Sequence, residues 1–83
     1  MELNMYSVYD RKARIYNSPY VLANDEMAIR SFRLIVNDKE SMVHHYPEDF
    51  VLYRIGKFNS NTGNLDTDGG PVEIYRGTQM EVK

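Results

Sequence analysis

Only one stretch of this chain repeats its apolar residues at helical spacing, and that single stripe limits the possible folds more than any other feature. Ala28, Ile29, Phe32, Ile35 and Val36 recur at intervals of three and four, which lines them along one side of roughly three helical turns. Asn24 or Asp25 can cap the start, and Asp25 and Glu26 bring negative charge to the positive end of the helix dipole. Asn37 and Asp38 terminate the pattern, and Arg30 and Arg33 lie off the stripe. One amphipathic helix covers one face of one sheet, so the rest of the chain must supply that sheet.

The remaining segments read as short strands separated by turn chemistry. Leu3, Met5, Ser7 and Tyr9 alternate with Asn4, Tyr6, Val8 and Asp10, the period of a strand with two unlike faces. Asp10-Arg11-Lys12 forms a turn, residues 13–16 a return arm, and Asn17-Ser18-Pro19 a second turn before the apolar run Tyr20-Val21-Leu22. Met42 and Val43 are compatible with one further helical turn. Residues 50–58 read as a strand with Val51, Tyr53 and Ile55 on one face and Leu52, Arg54 and Phe58 on the other. Asn59-Ser60-Asn61-Thr62-Gly63 is hairpin-turn chemistry, followed by a return strand at 64–66, a break at Thr67-Asp68-Gly69-Gly70-Pro71 and a last strand at 72–76.

This order predicts an α+β domain over residues 1–76, with one main helix packed on a mostly antiparallel sheet of three to five strands. The helical connection allows the first strand and the strand at 50–58 to pair in parallel. Residues 77–83 read as a frayed C-terminal tail. The uncovered sheet face would carry several tyrosines and needs solvent or a second subunit, which predicts a homo-oligomer.

Composition fits this reading. The chain has 83 residues, 42 % of them apolar, enough to fold as one domain with a thin core that hides about 60–65 % of the unfolded surface. Seven tyrosines suit semi-buried packing, or a platform on which bases stack. With no cysteine, disulfides are absent and a reducing compartment is expected. Met1-Glu2-Leu3-Asn4-Met5 has neither the basic flank nor the apolar core of a signal peptide, and apolar runs such as Leu34-Ile35-Val36 are far too short to cross a bilayer. A cytoplasmic protein with no membrane partner is expected.

Candidate chemistry is sparse. His44-His45, near Asp38, Glu48 and Asp49, matches no zinc spacing, so neither metal nor other cofactor is expected. The serines lack a nucleophile elbow, Gly69-Gly70 runs into a proline rather than a phosphate loop, and the paired carboxylates are explained as helix-start and turn residues. No enzyme activity is expected. The suggestive pattern is aromatic and basic: Tyr6, Tyr9, Arg11, Lys12, Arg14, Tyr16 and Tyr20 fall within fifteen residues. Single-strand binders combine aromatic platforms with cations on the phosphates, each stacked base contributing ~1–3 kcal/mol. Arg30, Arg33 and Arg54 could add cations. The same pattern also fits tyrosines packed against the helix above a solvated basic tip. The net charge of −2 is spread unevenly, with five basic and four acidic residues in 1–36 against five and eight in 37–83. A polyanion site is therefore expected in the first half, with the second half repelling it.

Taken in order, Val8-Tyr9-Asp10, Arg11-Lys12-Ala13 and Asn17-Ser18-Pro19-Tyr20 resemble the opening of the small non-structural protein of gokushovirus-type microviruses. The resemblance continues through Asn24-Asp25, Ala28-Ile29-Arg30-Ser31-Phe32, Val36-Asn37-Asp38, Tyr46-Pro47-Glu48-Asp49-Phe50 and Leu52-Tyr53-Arg54-Ile55-Gly56, covering about residues 3–66. It implies a bacteriophage protein acting in the bacterial cytoplasm, outside the virion, in viral DNA synthesis through single-stranded DNA. The resemblance carries no catalytic residues. The alternative is an adaptor that engages host replication or viral assembly proteins through a sheet face or edge.

Overall fold

The computed structural model describes residues 1–79. Strands β1 (Glu2–Asp10), β2 (Ile15–Tyr16) and β3 (Tyr20–Leu22) precede helix α1 (Asp25–Asn37) and the single-turn α2 (Met42–His45). Strands β4 (Phe50–Asn59), β5 (Leu65–Asp66) and β6 (Val72–Arg76) follow, with 3-10 turns at Pro47–Asp49 and Gly77–Gln79. The rest of the expected tail lies outside the described residues.

The long strands β1 and β4 form the centre of the sheet, paired from Glu2↔Asn59 to Asp10↔Phe50. β2 and β3 both pair with the free edge of β1, and β5 and β6 both pair with the free edge of β4. The expected sheet of three to five strands under a main helix is thus corrected to a six-stranded sheet that dominates the molecule, with one helix of length on it. The count rises because each edge run is interrupted. Asn17-Ser18-Pro19 splits one run into β2 and β3, and the loop from Thr67 to Pro71 splits the other into β5 and β6. Ser7 Oγ donates to the Asn17 carbonyl at 2.6 Å and Asn17 N donates to the Val8 carbonyl at 2.9 Å, which pins the first interruption to β1.

The expected parallel pairing of β1 with β4 is also corrected, because every pairing in the sheet is antiparallel. The β2–β3 run returns along β1 as far as Leu22↔Asn4. Helix α1, 13 residues long and so about 20 Å, then carries the chain to the other end. β4 begins there, opposite Asp10, and must run against β1. An intervening return strand reverses the sense that a bare helical crossover would give.

Asn24 caps α1 by accepting from Met27 N at 2.9 Å, and Ser41 caps α2 by accepting from Val43 N at 3.0 Å. The core joins Tyr6, Val8, Phe50 and Leu52 of the sheet to Ala28 and Phe32 of α1 and Val43 of α2. Burying residues such as Phe32 and Leu52 contributes about 1.5–3 kcal/mol each. A polar clasp closes the helix start onto the sheet. Tyr6 Oη donates to Asp25 Oδ1 at 2.6 Å, Asn4 Nδ2 donates to Tyr6 Oη at 3.0 Å, and Arg54 pairs with Asp25 Oδ2.

A bulge in β4 changes which side chains face the helix. Tyr6 pairs with Arg54 while Met5 pairs with Gly56, leaving Ile55 as the extra residue. Phe58, opposite Leu3, therefore lies on the face of Val51 and Tyr53 and away from the face of Leu52 and Arg54 that alternation predicts. Glycine is required beside the bulge. A Cβ on Gly56 would lie 2.7 Å from the Asp66 carbonyl oxygen and 2.8 Å from Met5 Cε.

Candidate nucleic-acid interface

The face of the sheet away from α1 carries a cluster of three tyrosines. Tyr9 and Tyr16 are cross-strand partners with ring centroids 4.5 Å apart, and Tyr53 meets them edge-on at 6.1 and 5.6 Å. Their spacing follows from strand geometry: Tyr53 sits opposite Ser7, two residues from Tyr9, within the diagonal reach of aromatic side chains. Tyr16 remains 42 % exposed, and Tyr9 and Tyr53 are partly exposed. The Tyr16 phenol holds its proton above the usual tyrosine range, because partial desolvation and then the neighbouring Tyr53 and Tyr9 hydroxyls disfavour the anion. Tyr16 therefore keeps its hydroxyl proton, and the cluster offers ring faces for stacking.

The chain turns at the end of this face. The four residues 11–14 between Asp10 and Ile15, which are themselves partners, are all exposed. Asp10 Oδ1 accepts from Lys12 N at 2.9 Å and Ala13 N at 3.1 Å, Arg14 N donates to the Asp10 carbonyl, and Arg14 takes φ 61° to complete the turn. Arg11, Lys12 and Arg14 thus project from a tightly hydrogen-bonded tip, and none of them forms an ion pair among the described residues.

The structure divides the other predicted residues. Tyr6 is fully buried in the core and is removed from the stacking set. Strand alternation turns it towards α1, where burial and its bond to Asp25 push its pKa up to about 12. Tyr20 is half-buried against the same core, 6.1 Å from the Tyr6 ring, and burial raises its pKa. Its enclosed hydroxyl has no partner among the described residues. Arg54 is held by Asp25 and is withdrawn as a phosphate ligand. Arg30 and Arg33 are exposed and without ion-pair partners among the described residues, but they belong to α1, on the opposite side of the sheet from Tyr9 and Tyr16.

Tyr53 was missed as a site residue by sequence reasoning, and so was the placement of Arg76 on the same face. Tyr53 had a usable signal, since it alternates with Leu52 on the exposed side of its strand. Arg76 pairs with Val51 at the edge of the same face, a placement that depends on a second register shift and leaves no mark in the sequence. Its guanidinium grips Glu73 through two bonds of 2.9 and 3.0 Å, which lowers the Glu73 pKa and raises its own. His44 Nδ1 and His45 Nε2 each lie 2.9 Å from a different backbone carbonyl, those of Val36 and Lys39. The two rings do not converge on a common point, and no group of three or more metal-binding side chains occurs among the described residues. No helix among the described residues is long and apolar enough to cross a membrane.

Residues 3–80 match the model of a family described as Phage ORF5 protein. The chain is also similar to Protein ORF5 of Chlamydia phage 1, with 42 % identity over 85 residues covering 96 % of this chain and 88 % of that protein. No solved structure matches it significantly.

Proposed function

This chain belongs to the Phage ORF5 protein family, and from that premise we propose that it assists viral DNA synthesis in the host cytoplasm by binding single-stranded DNA, without catalysing a reaction. One observation carries the reading. Arg11, Lys12 and Arg14, which form no ion pair among the described residues, stand at the tip of the same hairpin whose arms supply Tyr9 and Tyr16. A strand lying along this end would set its phosphates against the tip and its bases against the rings of Tyr16, Tyr9 and Tyr53. Stacking is tolerant of sequence because every base offers a π face.

The test is an anisotropy titration of the full chain into a labelled ~20-mer of single-stranded DNA at low and physiological salt. The expected outcome is binding that weakens with salt and quenches tyrosine fluorescence. Changing Arg11, Lys12 and Arg14 together to alanine should flatten the salt dependence by about two in log–log slope, since each neutralised phosphate accounts for roughly 0.7. An unchanged slope would rule out the tip as the DNA-binding element. The adaptor reading draws support from Val21 and Leu65, apolar residues exposed on the two edges of the sheet. It predicts no oligonucleotide binding even at low salt.

A further inference from the structure

On the far side of the hairpin tip from the tyrosines, a groove of about 710 Å³ runs between the turn after β1 and the segment joining α2 to β4. Ala13, Met42, Tyr46 and Phe50 give it an apolar lining, with Met42 and Tyr46 left 63 % and 51 % exposed. Around that lining stand Asp10, Glu48 and Asp49 against Lys12, with Arg11 beside Glu48 and Asp49 on the adjoining surface. None of the three carboxylates has an ion-pair partner among the described residues. The Glu48 and Asp49 side chains accept no hydrogen bond there either, because only their backbone carbonyls are used, by Arg11.

We propose that this groove is a docking site for an arginine-bearing segment of a protein partner. Charge complementarity selects that occupant. Three carboxylates outnumber Lys12 in the groove and Lys12 plus Arg11 around it, so the groove favours a cation over a phosphodiester, and planar carboxylate oxygens suit the fork of a guanidinium. The apolar lining suits the rest of such a side chain. Met42 is an unbranched, adaptable surface for the methylene stem, and Tyr46 offers a ring for the guanidinium plane. The site adjoins the proposed DNA contact, sharing Lys12 with it, and goes beyond it, making the hairpin tip a divide between an acidic groove and an aromatic, basic face.

The experiment uses the full chain and a labelled peptide in which arginine alternates with leucine, beside a twin carrying glutamine for every arginine. Binding of the first peptide should be at least about tenfold tighter than of the twin, and should weaken about tenfold in the double variant Glu48→Gln, Asp49→Asn. Tyr46→Ala should weaken it several-fold. The control double variant Asp66→Asn, Asp68→Asn makes the same change in net charge far from the groove and should leave the peptide within about twofold. Equal losses in the two double variants would reduce the effect to net charge and overturn the site. So would equal binding of the twin, displacement of the peptide by single-stranded DNA, or self-association that the Glu48→Gln, Asp49→Asn pair abolishes. Failure of this test leaves the DNA reading intact, because Glu48→Gln and Asp49→Asn should move DNA affinity upwards if at all.

Discussion

Tyr6 and Tyr9 lie three residues apart on one strand and face opposite ways, because strand geometry turns odd and even positions to opposite sides of a sheet. Tyr9 joins the exposed cluster, while Tyr6 spends its ring on the core and its hydroxyl on Asp25. Composition and local clustering treat the two alike, and only pairing with the helix separates them. Burial gives Tyr6 a testable signature. Its folded pKa of about 12 stands above the ordinary 10.0, so the folded chain holds the phenol proton more tightly than the unfolded chain. The resulting stabilisation is fully present below pH 10 and is lost as pH climbs from 10 to 12. It is on the order of 2–3 kcal/mol. Tyr6→Phe should cost about 1–2 kcal/mol at neutral pH by leaving Asp25 and Asn4 short of a partner. It should also lack this part of the alkaline loss, so the gap between variant and parent closes above pH 11. Denaturant midpoints at pH 8, 10 and 11.5 measure that gap, and a constant difference would refute the assignment.

At the scale of elements, the helix was the most legible part of the chain and the sheet edges the least. The spacing of Ala28, Ile29, Phe32, Ile35 and Val36 belongs to α1 itself, and its cap is local, so residues 24–38 contain what is needed to read it. Asn24→Ala should therefore lower stability by about 1 kcal/mol with little change in the cluster of Tyr9, Tyr16 and Tyr53. Thermal melts followed by helical and by aromatic circular dichroism would test both halves of that statement. Strand order is written in contacts between distant residues. Whether Asn17-Ser18-Pro19 ends an edge strand or merely interrupts it is decided by the Ser7 and Val8 bonds to Asn17, which no local pattern specifies. The parity of Phe58 depends likewise on the bulge at Ile55, set where Gly56 lets the Asp66 carbonyl approach. Of the candidate site, Tyr9, Tyr16 and the tip cations were legible because one hairpin holds them. Arg54 was misread because its partner Asp25 lies 29 residues away.

The whole molecule gives the uneven charge of the two sequence halves a spatial form. Glu48 and Asp49, from the acidic second half, flank the same tip as Arg11 and Lys12 from the first. The molecule is elongated, 41 × 25 × 19 Å, and position along its length matters more than position in sequence. Asp66 pairs with Lys57, which pairs with Asn4, six residues down β1 from Asp10. That separation is about 20 Å at strand rise, more than two screening lengths of ~8 Å at physiological salt. Neutralising Asp66 and Asp68 should therefore leave single-strand affinity within about twofold at 0.15 M salt. Neutralising Glu48 and Asp49 should raise it several-fold, because phosphates at the tip approach those carboxylates directly. Both double variants carry the same net charge, so titrating them side by side separates local repulsion from overall acidity. Equal gains in the two would mean that DNA senses only the net charge of −2, and the hairpin tip would lose its claim to be the DNA-binding element.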